Sequence, residues 1–340
     1  GNGAYYLASA FDEIYLQPSG DIGLTGLMAE SSFVSGTLEK LGIIPRMDHR
    51  YEYKNALNTF TEQKYTPPHR EAIFQIIESQ FGQIVQGIAE GRGLEAEHVR
   101  ALVDRGPFLG PQALAEKLVD GLMYRDEVFA RVEDTAGDDA ERLGLLTYLR
   151  RMGRPHTDGD AIALIYGVGG VQRGKSEYSA AFSGPTMGAD SVSAAFRAAV
   201  QDKAVKAILF RVDSPGGSYV ASDTIWCETI LAKESGKPVI VSMGNVAGSG
   251  GYFVAMAADK IVAQPGTITG SIGVLGGKML TAGLAEKIGL SSDEVHTSTN
   301  ANMWSSSLDY TPEQWTRITA WLDRVYEDFT GKVAAGRNLS

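Results

Sequence analysis

A chain of 340 residues, 44% of them hydrophobic and 21% charged, has the composition of a globular protein long enough for two domains and a substantial core. Its formal net charge of −10, with no basic cluster to offset it, argues against nucleic acid as a partner. The single cysteine, Cys227, excludes a disulfide framework or cysteine-rich metal site, and no run of about 18 apolar residues reads as a membrane span.

In chain order, the first clear element is a helix start at Tyr65-Thr66-Pro67, with Thr66 as N-cap and Pro67 at the first helical position. Residues 133–160 are rich in charge, Gly and Thr and read as a linker, with an apolar patch at 143–149 that predicts a helix of its own. A strand at 161–168 precedes a helix at 191–201. The next strand, 207–212, ends in the turn Asp213-Ser214-Pro215-Gly216-Gly217. A helix at 222–235 follows, and Cys227 within it is expected to be a small buried hydrophobe. A third strand, 238–242, runs into Met243-Gly244-Asn245-Val246-Ala247-Gly248-Ser249-Gly250-Gly251-Tyr252, and the alanine-rich stretch 252–258 beyond it reads as helix. Another Thr-Pro helix start stands at Tyr310-Thr311-Pro312. Short apolar strands alternating with helices predict an α/β layer fold with a parallel sheet. Ligands of such sheets bind at the carboxyl ends of the strands, where both glycine turns fall.

The chain also repeats itself. Gly1-Asn2-Gly3-Ala4-Tyr5-Tyr6 aligns with Gly248-Ser249-Gly250-Gly251-Tyr252-Phe253, and Gln17-Pro18 with Gln264-Pro265. Asp21-Ile22-Gly23 aligns with Ser271-Ile272-Gly273, Glu39-Lys40-Leu41-Gly42 with Glu286-Lys287-Ile288-Gly289, and the two Thr-Pro starts with each other. This is a tandem duplication. It divides the chain into the later part of a first repeat (1–132), a linker (133–160) and a second repeat (161–340). Residues 160–247 have no counterpart before Gly1, and copy two stops short of the counterpart of Leu118-Val119-Asp120-Gly121. The expectation is a natural protein that extends beyond both ends.

A serine on a tight turn between strand and helix is lifted clear of the backbone, with N–H groups and a helix dipole aimed at its ligand. Two such turns side by side would supply a nucleophile and an oxyanion hole, the parts of a serine peptidase. Gly-Ser-Gly-Gly after a strand is also an ordinary turn, since glycine serves any backbone that needs positive φ. A serine nucleophile needs a base. None of the five histidines, His49, His69, His98, His156 and His296, is near a glycine turn or recurs in both copies. They read as surface or interface residues, and a Ser-His-Asp triad is unsupported. A lysine desolvated in an apolar pocket is the other candidate. Copy one has Lys54 in the weakly charged run Tyr53-Lys54-Asn55-Ala56-Leu57, where copy two has Thr299-Asn300-Ala301-Asn302-Met303. Copy two has Ser249 where copy one has Asn2. Two copies that divide a dyad between them would show this pattern; a surface lysine is the alternative.

These residues, with Thr269-Gly270-Ser271-Ile272-Gly273, give the chain a resemblance to the signal peptide peptidase A (protease IV) family in its long two-repeat form. The resemblance covers essentially the whole chain. It implies a Clp-protease/crotonase-like fold and a Ser/Lys dyad split between repeats. Ser249 would be the nucleophile, Lys54 the general base, and the N–H of Gly250 with that of Gly216 or Gly217 the oxyanion hole. It further implies no metal or organic cofactor, peptide substrates left over from secretion, a tetramer, and an amino-terminal anchor in the bacterial cytoplasmic membrane on its periplasmic side. Two departures stand out: Gly248 where relatives have alanine, and Asn55 where a serine able to bond the lysine amine is usual. A crotonase-type hydratase, a Clp-type Ser-His-Asp peptidase and a non-catalytic scaffold are the rival readings. The position of Lys54 relative to Ser249 discriminates the scaffold from the dyad.

Overall fold

The computed structural model describes residues 1–137, 140–153, 158–179 and 184–340; His156 lies outside the described residues. Two compact units result, and neither is one stretch of chain: Gly1–Ala29 with Gln75–Gly159, and Glu30–Phe74 with Asp160–Ser340.

The second unit is built on the predicted parallel sheet. Its two central strands are Val205–Ser214 and Val239–Gly248, flanked by Ala161–Val168 and Lys260–Val262, all parallel. The short strand Ile268–Gly270 adds to the far end of Val239–Gly248. Strict alternation buries Ile208, Phe210 and Val212 on one strand and Val239, Val241 and Met243 on the next. Helices Ala189–Gln201 and Tyr219–Glu234 cover that face with Phe196, Ile225 and Ala232. The second of these starts on the Ser218 hydroxyl, which accepts from the Ala221 amide at 3.4 Å. Its buried positions are Ala221, Ser222, Ile225, Glu228, Thr229 and Ala232, a stripe at helical spacing. Cys227 falls off that stripe and is exposed, contrary to the expectation of a buried thiol.

Strand Ile44–His49 pairs antiparallel with Leu275–Leu280, and the Arg50 amide extends the ladder to the Val274 carbonyl at 3.0 Å. This pairing carries the segment around Lys54 to the carboxyl end of the parallel sheet. The helix Pro312–Arg337 closes the unit, starting on a capping box of Thr311 and Gln314 and burying Leu322, Val325 and Phe329. His69, read from sequence as a surface or interface residue, is buried within the chain, with its ring edge-on to Tyr65 at 4.8 Å and beside Phe33.

In the first unit, Tyr15–Leu16 pairs in parallel with Gly121–Leu122, and Asp21–Ile22 antiparallel with Phe108–Leu109. Leu24, Ile88, Leu102 and Leu118 form its core. Arg92 holds both carboxylate oxygens of Asp120, at 2.9 and 2.8 Å, and Asp120 in turn accepts from the Ile14 amide. The predicted linker helix spans Leu145–Met152. The two Thr-Pro starts open helices of equal length, Pro67–Arg92 and Pro312–Arg337, each of 26 residues. Among the described residues no helix is long and apolar enough to cross a membrane.

Candidate active site

Ser249 stands where Val239–Gly248 gives way to a helix of four residues, Gly250–Phe253. The helix is shorter than the alanine-rich sequence predicts, so individual amides rather than a long helix dipole face the turn. Ser249 has φ 52° and ψ −120°, a conformation that a residue with a side chain adopts only when its surroundings impose it. They do so from both sides. The Ser249 amide donates to the Gly270 carbonyl at 2.9 Å, while its own carbonyl accepts from Tyr252 and Phe253 at 3.0 and 2.9 Å. A strained strand-to-helix turn that presents a serine hydroxyl is the geometry of a nucleophile elbow.

The glycines around it are required by close approach. A β-carbon on Gly251 would lie 2.4 Å from the Ser214 carbonyl oxygen, and one on Gly216 2.7 Å from the Ser249 β-carbon. The two turns are thus in contact. Asp213 links them as well: one carboxylate oxygen accepts from the Val246 amide at 3.1 Å, the other from the Asn245 side chain at 3.3 Å. It does so where the ladder is irregular, Val212 facing Met243 but Ser214 facing Ala247.

The amide of Gly216 donates to the Ser214 hydroxyl at 3.1 Å, and its carbonyl accepts from the Val171 amide at 2.9 Å. The amides of Gly217 and Gly250 have no partner among the described residues. A β-carbon built on Gly250 would come 3.1 Å from the Gly217 nitrogen, so the two turns bring these amides close together.

Lys54 is buried, with 8% of its surface exposed. Its stem lies against Gly273, where a β-carbon would come 3.1 Å from Lys54 Cδ. Its amine donates to the carbonyl and the hydroxyl of Ser271 at 2.9 and 3.1 Å. Burial lowers the amine's pKa from 10.5 to about 8. Ser271 is the partner that sequence reasoning missed. Thr269-Gly270-Ser271-Ile272-Gly273 stood out as a motif, but nothing in its composition said that the serine meets a lysine 217 positions earlier. The amine is held from Ser271, so its orientation does not depend on a serine at position 55.

Lys54, Ser249, Gly216, Gly217, Gly250 and Ser271 line one cavity of about 550 Å³ within the second unit. The rest of its wall is mainly apolar, with Phe253, Val274, Leu275, Trp321 and Phe329 prominent. No described histidine lines it. The five residues proposed for catalysis and the oxyanion hole therefore share one wall, and no group of His, Cys, Asp or Glu able to hold a metal was found among the described residues.

A family model described as peptidase family S49 matches residues 1–138 and 231–340, which include both Lys54 and Ser249. The chain is 31% identical over 343 residues to the serine protease SPPA, chloroplastic, of Arabidopsis thaliana, covering 98% of this chain and 50% of that protein. It is also 31% identical over 346 residues to protease 4 of Salmonella typhi, covering 98% and 55%. The chain thus spans about half the length of the curated relatives it matches. Among solved structures, a mutant ClpP1 from Listeria monocytogenes is 15% identical with a TM-score of 0.31, covering 52% of this chain and 74% of that one. The fold class rests on the observed parallel sheet and on the family match.

Proposed function

The chain belongs to peptidase family S49, and from that premise we propose that it carries the Ser/Lys dyad of a serine endopeptidase, with Ser249 as nucleophile and Lys54 as general base. The observation that carries this reading is a buried lysine with no carboxylate partner among the described residues, in the same cavity as a serine on a strained turn. A neutral amine has two N–H groups and one lone pair. With both N–H groups on Ser271, the lone pair is left for the proton of Ser249. Lys54 takes that proton as the hydroxyl attacks a peptide carbonyl, then delivers it to the leaving amine. Water, deprotonated in turn by Lys54, resolves the acyl-enzyme.

The oxyanion is assigned to the amides of Gly217 and Gly250, because Gly216 spends its own on Ser214. Each donor is expected to lower the barrier by about 3 kcal/mol, as measured for such donors elsewhere. The apolar wall fits extended peptides with apolar side chains, which agrees with remnant signal peptides as substrates. Action at the bacterial envelope, assembly as a tetramer and an amino-terminal anchor belong to the same reading. So does a division of the dyad between two repeats, bounded at residues 132 and 160.

The test is cleavage of an apolar peptide by the full-length protein and by its Ser249→Ala and Lys54→Ala variants. Each substitution is expected to lower kcat at least a thousandfold, in line with losses of nucleophile or base in other serine peptidases (~10⁴-fold or more). Cleavage retained in Ser249→Ala would overturn the reading.

A further inference from the structure

The cavity has one charged group that the dyad does not use. Arg173 lines it, exposed, and has no hydrogen bond or ion pair among the described residues. Its place is set by backbone rather than by side-chain contacts. The strand Gly170–Gln172 is tied to the oxyanion turn by two bonds, Val171 N–H to the Gly216 carbonyl at 2.9 Å and Ser218 N–H to the Val171 carbonyl at 2.8 Å. Arg173 therefore stands two residues beyond the point of contact with the Gly216–Gly217 turn. In a chain with 41 acidic residues and a net charge of −10, no Asp or Glu among the described residues lines this cavity.

An exposed guanidinium beside an otherwise apolar peptide groove costs apolar contact area unless something pairs with it. Its fork of donors matches a carboxylate in two parallel hydrogen bonds. Resting on the peptidase reading above, we propose that Arg173 anchors a carboxylate of the bound peptide and so makes this site favour carboxylate-bearing peptides over neutral ones. A peptide offers that group as its free C-terminus or as an Asp or Glu side chain. The first source would link the site to a preceding cut, since every product of peptide hydrolysis ends in a new carboxylate. Hydrolysis elsewhere would then be the class of reaction that supplies the substrate.

Two matched pairs of fluorescent apolar peptides separate the sources: one pair ends in a free acid or an amide, and the other, amidated, carries Asp or Asn at each position in turn. Binding is measured on full-length Ser249→Ala protein by anisotropy, and kcat/KM on the protein with Ser249 intact. The proposal predicts about tenfold preference for the carboxylate member of one pair in both measurements, the worth of a charge-assisted hydrogen bond. Arg173→Gln should bring the ratio to about one, and Arg173→Glu should reverse it. Equal treatment of both pairs overturns the proposal, as does a preference that survives Arg173→Gln or a failure of every peptide to bind. If cleavage depends on Ser249 but shows no preference, the peptidase reading stands and this one falls. If the preference appears in binding without any cleavage, the carboxylate site stands and the peptidase reading falls.

Discussion

Lys54 is a residue whose chemistry and stability pull in opposite directions. Its burial lowers the amine's pKa to about 8 in the folded chain, while the unfolded chain keeps 10.5. Below pH 8 both states are charged, and the folded state bears the full cost of desolvation. Between 8 and 10.5 the unfolded chain binds more protons, so this group makes stability rise with pH across that window and ceases to matter above it. Lys54→Met is accordingly expected to stabilise the protein at pH 7, by about 3 kcal/mol at most, with the advantage fading as pH approaches 10.5. Denaturant unfolding at a series of pH values checks this; a Met variant less stable at pH 7 would show that the amine is not desolvated as described. Ser249 bears a comparable tension in its backbone, at φ 52°. Strain of this kind, about 1–3 kcal/mol, persists only where the surroundings over-determine it, as the bonds to Gly270, Tyr252 and Phe253 do here.

At the scale of elements, the site depends on how two parallel strands end. Val205–Ser214 and Val239–Gly248 run in register until Val212 and Met243, after which Gly244-Asn245-Val246 bulges and Asp213 fills the gap. A β-carbon on Gly244 would lie 2.6 Å from the Asp213 carboxylate, so the bulge is moulded around that side chain. Asp213→Ala should lower kcat about tenfold with little change in KM, since it loosens the relative placement of the proposed nucleophile and oxyanion donors. Asp213→Asn, whose amide oxygen still accepts from Val246, should recover most of the loss. Steady-state kinetics on both variants decide it; equal losses would mean that the charge, not the clamp, matters. Much of this level was legible in sequence, because a strand announces itself through local apolar runs. The strand predicted at 161–168 is observed as Ala161–Val168, and both glycine turns fall at strand ends as expected. What was not legible depends on partners distant in sequence: the second half of Val239–Gly248, held as strand by Ile268–Gly270; the burial of His69 under Phe33 and Tyr65; and the pairing of Lys54 with Ser271.

On the scale of the whole chain, the duplication read from the sequence would account for one half reading as a worn copy of the other. Asn2, at the position matching Ser249, uses both ends of its amide structurally: it donates to the Gly26 carbonyl at 2.6 Å and accepts from the Thr25 amide at 2.9 Å. A side chain so engaged fastens the loop after Asp21–Ile22 and offers no nucleophile. The segment Glu30–Phe74, which carries Lys54, is compact with Asp160–Ser340, which carries Ser249, so the proposed dyad would join a lysine numbered with copy one to a serine of copy two. Under the proposed dyad, tandem copies would need only one working site between them, each having shed the part that the other retains. Sequence alignment within the chain exposed that exchange; only the pairing of Ile44–His49 with Leu275–Leu280 explains how the two residues reach one cavity.

The most direct measurement is the rate at which a fluorophosphonate acylates Ser249 in the full-length protein, followed from pH 6 to 10 with and without Lys54→Ala. A lysine base works only when neutral, so the rate should rise with pH through a midpoint near 8, set by the buried amine. In Lys54→Ala the rate should collapse and lose that midpoint, and Ser249→Ala should take no label. Labelling of Ser249 that proceeds at the same rate and with the same pH profile without Lys54 would contradict the dyad.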